Sequence, residues 1–107
     1  MIKELKSIQY RLDGDCLELT PIGEIDHHNA SKMRAEADAL INKYSPQRVA
    51  LNLGKIDFMD SSGLGFIMGR YKLVVEKGGS LFIKTPSKSV LKICRLAGLE
   101  RIVKIIT

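Results

Sequence analysis

The sequence predicts a single α/β domain with a mixed, mainly parallel β-sheet and helices packed against it, in the order β-β-α-β-α-β-α-β. Three observations lead to this prediction. Apolar, strand-like runs alternate with longer segments of helical periodicity from residue 30 onward. A glycine turn joins two strand-like segments near the start of the chain. The length, 107 residues, suffices for one hydrophobic core and not for a second.

The leading elements form a hairpin. Residues 5–12 and 16–22 are predicted as strands joined at Asp13-Gly14, where glycine supplies a positive φ. Pro21 cannot donate to a strand ladder, so it marks a strand end or an edge. Residues 23–26 are then expected to form a tight loop.

An apolar stripe predicts the first helix. Its members recur at helical spacing: Ala30, Met33, Ala37, Leu40, Ile41 and Tyr44. Asp26 or Asn29 is the expected N-cap, and Ser45-Pro46 ends the helix.

The second half of the chain continues the alternation. Strands are predicted at residues 49–53, 80–84 and within 99–106. A helix over residues 66–76 ends at Gly78-Gly79, and a third helix opens at Pro86-Ser87 and ends at Gly98. Strand–helix–strand units favour parallel neighbours with right-handed crossovers, and the leading hairpin makes the sheet mixed.

Composition narrows the class of protein. Hydrophobic residues make up 45% of the chain, as in an ordinary globular fold. No apolar run approaches the roughly 20 residues that span a bilayer. The N-terminus lacks the apolar core of a secretory signal, so we expect a cytoplasmic protein. Cys16 and Cys94 show no metal-ligand spacing and are expected to be reduced.

The net charge of +5 is unevenly distributed. Residues 1–50 hold seven Lys/Arg and eight Asp/Glu, a net −1, and residues 51–107 hold ten and four, a net +6. Solvated helix faces explain this better than nucleic-acid binding, because no aromatic-interleaved basic strand accompanies the charge. An acidic protein partner also fits the asymmetry.

The stretch from residue 57 to residue 65, Asp-Phe-Met-Asp-Ser-Ser-Gly-Leu-Gly, lies where a strand turns into a helix. Such a junction leaves backbone N–H groups without intrahelical partners and carries the positive end of the helix dipole. Ser61 or Ser62 can cap the helix, and an anion is favoured there. A hydroxyl at this point is an accessible acceptor for a phosphoryl group.

Several chemical alternatives arise around this stretch. Asp57 and Asp60 could act as a general acid and base, although a turn or cap role is commoner. A small hydrolase or nucleotide-binding enzyme could use Ser61 with His27 or His28, but no orienting base or phosphate-cradling signature accompanies them. A metal site at the two histidines has little support.

The glycines and the methionine leave two interpretations open. Gly65 and Gly69 share a helical face, which serves either close helix–sheet packing or an approach by another protein's backbone. Most apolar residues nearby must be core, while an exposed Met59 beside the serines would suit an adaptable docking surface.

Two motifs carry a family resemblance. Gly-Glu-Ile-Asp-His-His at residues 23–28 and Phe-Met-Asp-Ser-Ser-Gly-Leu-Gly at residues 58–65, with Gly-Arg-Tyr-Lys at 69–72 behind, resemble the STAS-domain anti-sigma-factor antagonists. The resemblance covers nearly the whole chain and includes the order of elements, and it implies a single STAS domain over residues 1–107.

The resemblance implies a phosphorylation switch. Ser61 would be phosphorylated by an anti-sigma factor that is also a serine kinase, and a serine phosphatase would restore the hydroxyl. The unphosphorylated form would bind the nucleotide-bound kinase and free the sigma factor. The sigma factor would direct the transcription of either sporulation genes or stress-response genes. A role as a scaffold in another signalling assembly is the alternative.

The resemblance also implies where the partner binds. Ser62 would be the helix-capping neighbour of Ser61 and not the acceptor. No catalytic residue, cofactor, metal, nucleic acid or membrane is expected. The implied docking residues are Glu24, Asp26, His27, Met59, Asp60, Ser62, Gly63, Leu64 and Gly65.

Overall fold

The computed structural model describes the backbone of residues 3 and 4 and all of residues 7–107. The strands are β1 (Lys3–Glu4), β2 (Ile8–Asp13), β3 (Cys16–Pro21), β4 (Gly23–Ile25), β5 (Arg48–Asn52), β6 (Ile56–Met59), β7 (Ser80–Lys84) and β8 (Lys104–Ile106). The helices are α1 (Ala30–Tyr44), α2 (Ser61–Glu76) and α3 (Lys88–Leu96), followed by a 3₁₀ turn at Leu99–Arg101.

The main sheet is mixed, as predicted. Its six strands lie in the order β1-β2-β3-β5-β7-β8. The first three are antiparallel neighbours, and β3, β5, β7 and β8 run parallel. Asp13 pairs with Cys16 across the predicted hairpin turn, where Gly14 has a φ of 62°. Residues 5 and 6 of the predicted first strand lie outside the described residues.

The hydrophobic core lies between this sheet and the helices. The predicted stripe of α1 buries Met33, Ala37, Leu40 and Ile41, while α2 buries Phe66, Ile67 and Val74. On the sheet, Leu17, Leu19, Val49 and Leu51 are fully buried. The intervening side chain of Glu18 instead accepts hydrogen bonds from Asn52 and Lys84 across the opposite, polar face.

An ion pair between a buried arginine and a half-buried aspartate joins the two long helices. Arg70 of α2 is 4% exposed, and its Nε lies 2.6 Å from Oδ1 of Asp38 on α1. Nη2 of Arg70 donates to the other oxygen of Asp38 at 3.4 Å, and Nη1 donates to the carbonyl of Phe66 at 3.1 Å. A buried guanidinium needs such partners, so the pair fixes the two helices relative to each other.

The predicted helix ends are confirmed. Ser45 at the end of α1 adopts a left-handed conformation with a φ of 41°. Gly78 and Gly98 have φ values of 85° and 73° after α2 and α3. Ser87 caps α3 by accepting a hydrogen bond from the backbone N–H of Val90 at 3.3 Å.

Three short strands, β1, β4 and β6, add to the predicted order. The loop expected at residues 23–26 is mostly strand β4, and it pairs in parallel with β6 in a separate two-stranded sheet. Asp57 therefore lies in a strand and not in a turn. β4 and β6 are each too short to show a strand pattern alone, and each gains its ladder hydrogen bonds from a partner distant in sequence. Helix α2 begins five residues before the predicted range, at Ser61.

Candidate functional site

The small parallel sheet brings two loop aspartates together. Ile25 at the end of β4 is paired with Met59 at the end of β6. Asp26 and Asp60 each follow directly, and each precedes a helix. The backbone N–H of Asp60 donates to the carbonyl of Ile25 at 3.2 Å, which locks the two strand ends together. Because β4 and β6 are neighbours, the N-termini of α1 and α2, which follow the ends of these strands, lie at the same edge of the domain.

Asp60 is the N-cap of α2, which corrects the expectation that Ser61 or Ser62 caps the helix. Its Oδ1 accepts a hydrogen bond of 2.7 Å from the backbone N–H of Ser62, and its carbonyl accepts one of 2.9 Å from Gly63. A carboxylate at this position also interacts favourably with the helix dipole. The cap role accounts for the Asp60 side chain without a general acid or base function.

Asp26 organises the turn that leads into α1. Its Oδ1 accepts hydrogen bonds from the backbone N–H groups of His28 at 2.9 Å and Asn29 at 3.1 Å. Asn29, the N-cap residue, returns the interaction by accepting from the Asp26 N–H at 3.0 Å and donating to the carbonyl of Glu24 at 2.5 Å. Burial alone would raise the pKa of Asp26, but the hydrogen bonds from Asn29 and His28 lower it below its ordinary value.

Ser61 is the first residue of α2, and it is exposed. Its hydroxyl makes no hydrogen bond to any residue in the described part of the chain. Ser62, by contrast, is half-buried, and its backbone N–H is held by Asp60. Of the two hydroxyls, that of Ser61 is the more accessible to a phosphoryl donor.

Met59 and Gly63 do not lie on the surface. Met59 is 1% exposed and belongs to the core, so the expectation of an exposed, adaptable Met59 is wrong. Gly63 is buried, and the Met59 side chain fills the space that a β-carbon at Gly63 would occupy. Both residues therefore shape the site from below and offer no surface for direct contact. Leu64 is half-buried against the core.

Gly65 and Gly69 are available for contact. A β-carbon at either position would meet no other atom within 4 Å, so close helix–sheet packing does not explain either glycine. This leaves the other interpretation, a side-chain-poor face that another backbone can approach. The face continues along α2 as a shallow apolar groove lined by Met68, Gly69, Tyr71, Lys72, Val75 and Glu76.

Ser61 lies on this same face of the helix. Ser61, Gly65, Met68, Lys72 and Val75 recur at i, i+4, i+7, i+11 and i+14, which is one continuous stripe of an α-helix. Val75 is 46% exposed although it is a large apolar residue. We use the term α2 outer face for this stripe together with Gly69 and Tyr71.

A second depression lies between the N-terminal halves of α1 and α2. Its lining residues are His27, Ala30, Ser31, Arg34, Ser62, Gly65 and Phe66. Sequence reasoning missed Ser31 and Arg34, which lie three residues apart on one side of α1, while His27 lies in the turn before this helix. The rings of His27 and His28 lie 4.7 Å apart. Among the described residues, no group of three or more His, Cys, Asp or Glu side chains could hold a metal ion.

The remaining implied docking residues are placed as follows. Glu24 and His27 are exposed, and Asp26 and Asp60 are half-buried beside them. Along the described residues, no helix has the length and apolar character needed to cross a membrane.

The fold and the site define a small α/β module that presents an exposed serine at a helix N-terminus. Residues 7–107 match the model of the STAS domain, and the chain belongs to this family. The family predicted from the two motifs is thereby confirmed.

Three relatives are particularly informative. The anti-sigma F factor antagonist of Paenibacillus polymyxa is 39% identical over 83 residues, which are 78% of this chain and 71% of that protein. The structure of the anti-sigma factor antagonist SpoIIAA in its unphosphorylated form matches with a TM-score of 0.78 and 26% identity, covering 94% of this chain and 89% of that one. The Bacillus cell fate determinant SpoIIAA in the phosphorylated form matches with a TM-score of 0.71 and 25% identity, covering 94% and 92%.

Proposed function

We propose that this protein is an anti-anti-sigma factor. In its unphosphorylated form it binds a cognate anti-sigma factor in the nucleotide-bound state and frees the sigma factor. The anti-sigma factor is also a serine kinase that phosphorylates Ser61, and a serine phosphatase reverses the modification. The observation that carries the proposal is the exposed hydroxyl of Ser61 at the first position of α2, on the helix face that displays Gly65. A relative that is an anti-sigma F factor antagonist supports it.

The partner docks on the α2 outer face. Gly65 and Gly69 allow a partner backbone to come close, and Met68 and Val75 provide apolar contact on the same stripe. Glu24, Asp26, His27 and Asp60 form a polar rim where both helices begin. An apolar centre with a polar rim is the usual arrangement of a protein–protein interface.

Phosphorylation of Ser61 acts locally. A phosphate adds about −1.5 to −2 charge at neutral pH. The N-terminus of α2 tolerates this charge, so the fold persists. A partner carboxylate about 4 Å away would be repelled by on the order of 4 kcal/mol at an effective dielectric constant of about 20. Each ~1.4 kcal/mol is tenfold in affinity, so one phosphate abolishes a useful complex. Asp60, next to Ser61, adds to the repulsion.

The module acts by binding and has no catalytic activity of its own. The Asp60 carboxylate is engaged in capping α2, and the Asp26 carboxylate accepts two backbone hydrogen bonds. Neither carboxylate accepts a hydrogen bond from the Ser61 hydroxyl, as the activating base of a hydrolase would. We place the protein in the cytoplasm, where an anti-sigma factor and its kinase activity reside.

The proposal is tested with the purified chain, the candidate anti-sigma kinase from the same genome and Mg-ATP. Mass spectrometry then locates the phosphate. We expect a single phosphate on Ser61, its loss in Ser61→Ala, and its retention in the matched Ser62→Ala variant. A phosphate on Ser62 would contradict the assignment of the site. The absence of both phosphate and complex would contradict the proposed function and favour a STAS scaffold in another assembly.

A further inference from the structure

A second surface lies on α3 and takes no part in the Ser61 site. Five residues of this helix line a shallow groove along its outer side: Lys88, Leu91, Lys92, Arg95 and Leu96. We propose that this groove binds an acidic amphipathic segment of a protein partner. None of its residues belongs to α1 or α2, which build the Ser61 site.

The charge of the groove is positive and largely unpaired. Lys88, Lys92 and Arg95 are exposed and recur at i, i+4 and i+7, which places them on one side of the helix. Arg95 lies 3.4 Å from the Glu100 carboxylate. Lys88 and Lys92 form no ion pair with any residue that the structure describes. These two ammonium groups are therefore free to meet carboxylates of a partner.

The groove also exposes apolar surface that the fold does not need. Helix α3 anchors itself through Val90 and Cys94, which are both buried. Leu96 is 79% exposed, and Leu91 is half-buried. Covering one such side chain contributes about 1.5–3 kcal/mol of apolar burial. Leucines flanked by lysines form a complement to a segment in which leucines are flanked by glutamates.

The same features favour a protein segment over other anionic partners. Binding of single-stranded nucleic acid adds aromatic side chains on which the bases stack, and the five residues of this groove include none. A helix that binds a membrane buries its apolar face in the lipid. Helix α3 has nine residues, and its apolar face with Val90 and Cys94 is already buried in the domain, so a membrane is disfavoured. The two leucines beside the row of cations offer an apolar patch on which an amphipathic helix can lay its apolar face.

The test uses the full chain and a synthetic helical peptide of repeated Glu-Glu-Leu-Leu units. Amide shifts of the ¹⁵N-labelled protein locate the binding, and fluorescence anisotropy gives the affinity. We expect the shifts to centre on α3. Lys88→Glu with Lys92→Glu should weaken binding by about tenfold or more, and Leu96→Ser by several fold. The matched control, Lys43→Glu with Lys77→Glu, changes two exposed lysines at the ends of the other helices and should alter the affinity by less than about twofold.

Three results would contradict the proposal that the groove is a binding site. These are no binding of the peptide, amide shifts centred outside α3, or an equal loss of affinity in the control variant. If binding were salt-sensitive but Leu96→Ser left the affinity unchanged, the interaction would be general charge attraction and not recognition by the groove. If vesicles that contain phosphatidylglycerol bound through the same residues more tightly than the peptide does, the partner of the groove would be a membrane and not a protein segment. The peptide should bind Ser61→Asp as it binds the wild type, so the result is independent of the proposed switch.

Discussion

The side chain of Met59 fills the space directly beneath Gly63, where any larger residue would place its β-carbon. Met59 ends β6, and Gly63 lies in the first turn of α2. This contact sets how closely the start of the helix approaches the core. It therefore also sets the position of Ser61, two residues before Gly63 and exposed on the outer side.

Gly63→Ala should destabilise the protein by about 1–3 kcal/mol, because the added methyl group overpacks a filled site. This loss occurs although alanine is the better helix former by up to about 1 kcal/mol. Urea denaturation measures the change in the free energy of unfolding. The matched variant Gly69→Ala points into open space and should be neutral or stabilising. Equal stability of the two variants would contradict the packing role of Gly63.

Asp60→Ala should lower the free energy of unfolding by about 1 kcal/mol, because the backbone N–H of Ser62 loses its cap. Asp60→Asn keeps a side-chain acceptor and should retain most of the stability. The comparison is made on the isolated chain by chemical denaturation. If Asp60→Ala matched the wild type, the start of α2 would not depend on this cap.

Gly65→Val should weaken binding of the anti-sigma factor about tenfold or more while the fold stays intact, since the position faces solvent on the α2 outer face. Isothermal titration gives the affinity, and a circular-dichroism melt reports the fold. Ala39→Val is the control, because it adds a β-branched residue at an exposed position of α1. If Gly65→Val weakened binding and also lowered the melting temperature, while Ala39→Val changed neither, Gly65 would have a packing role instead.

The stability of the protein should fall in acid partly through Glu18. Burial acts to raise the pKa of Glu18, but hydrogen bonds from Lys84 and Asn52 bring it below its ordinary value of 4.5. A carboxylate with a depressed pKa stabilises the folded state above the unfolded pKa and loses this effect as the pH falls through the folded pKa.

Denaturation of Glu18→Gln at several pH values tests this. The variant should be less stable than the wild type at neutral pH, and the difference should shrink below about pH 4.5. Glu76→Gln, an exposed residue at the end of α2, serves as the control. A difference that stayed constant with pH would show that the ionised carboxylate contributes nothing.

Local patterns were enough to predict the three helices, the hairpin and the parallel strands of the main sheet. The stripe of α1 and the glycines after α2 and α3 are such patterns, because each depends on residues within a few positions. β4 and β6 could not be predicted this way, since each is stabilised by the other across an intervening helix and strand. The parallel arrangement of Asp26 and Asp60 follows from that pairing.

The site was predicted in outline and not in its atomic roles. The sequence Asp60-Ser61-Ser62 offers three residues that can all cap a helix, and only the position of β6 selects Asp60. The burial of Met59 depends on which side of that strand faces the core. The free surface at Gly65 and Gly69 required knowledge of every neighbouring atom. The choice of Ser61 as phosphate acceptor stays a prediction.

The most direct test compares the affinity of the anti-sigma factor for the unphosphorylated protein, Ser61→Ala, Ser61→Asp and the stoichiometrically phosphorylated protein in the presence of nucleotide. We expect the unphosphorylated protein and Ser61→Ala to bind with similar affinity. Ser61→Asp should bind at least about tenfold more weakly, and the phosphorylated protein more weakly still, as its larger charge requires. Equal affinity of the phosphorylated and unphosphorylated forms would contradict the switch at Ser61.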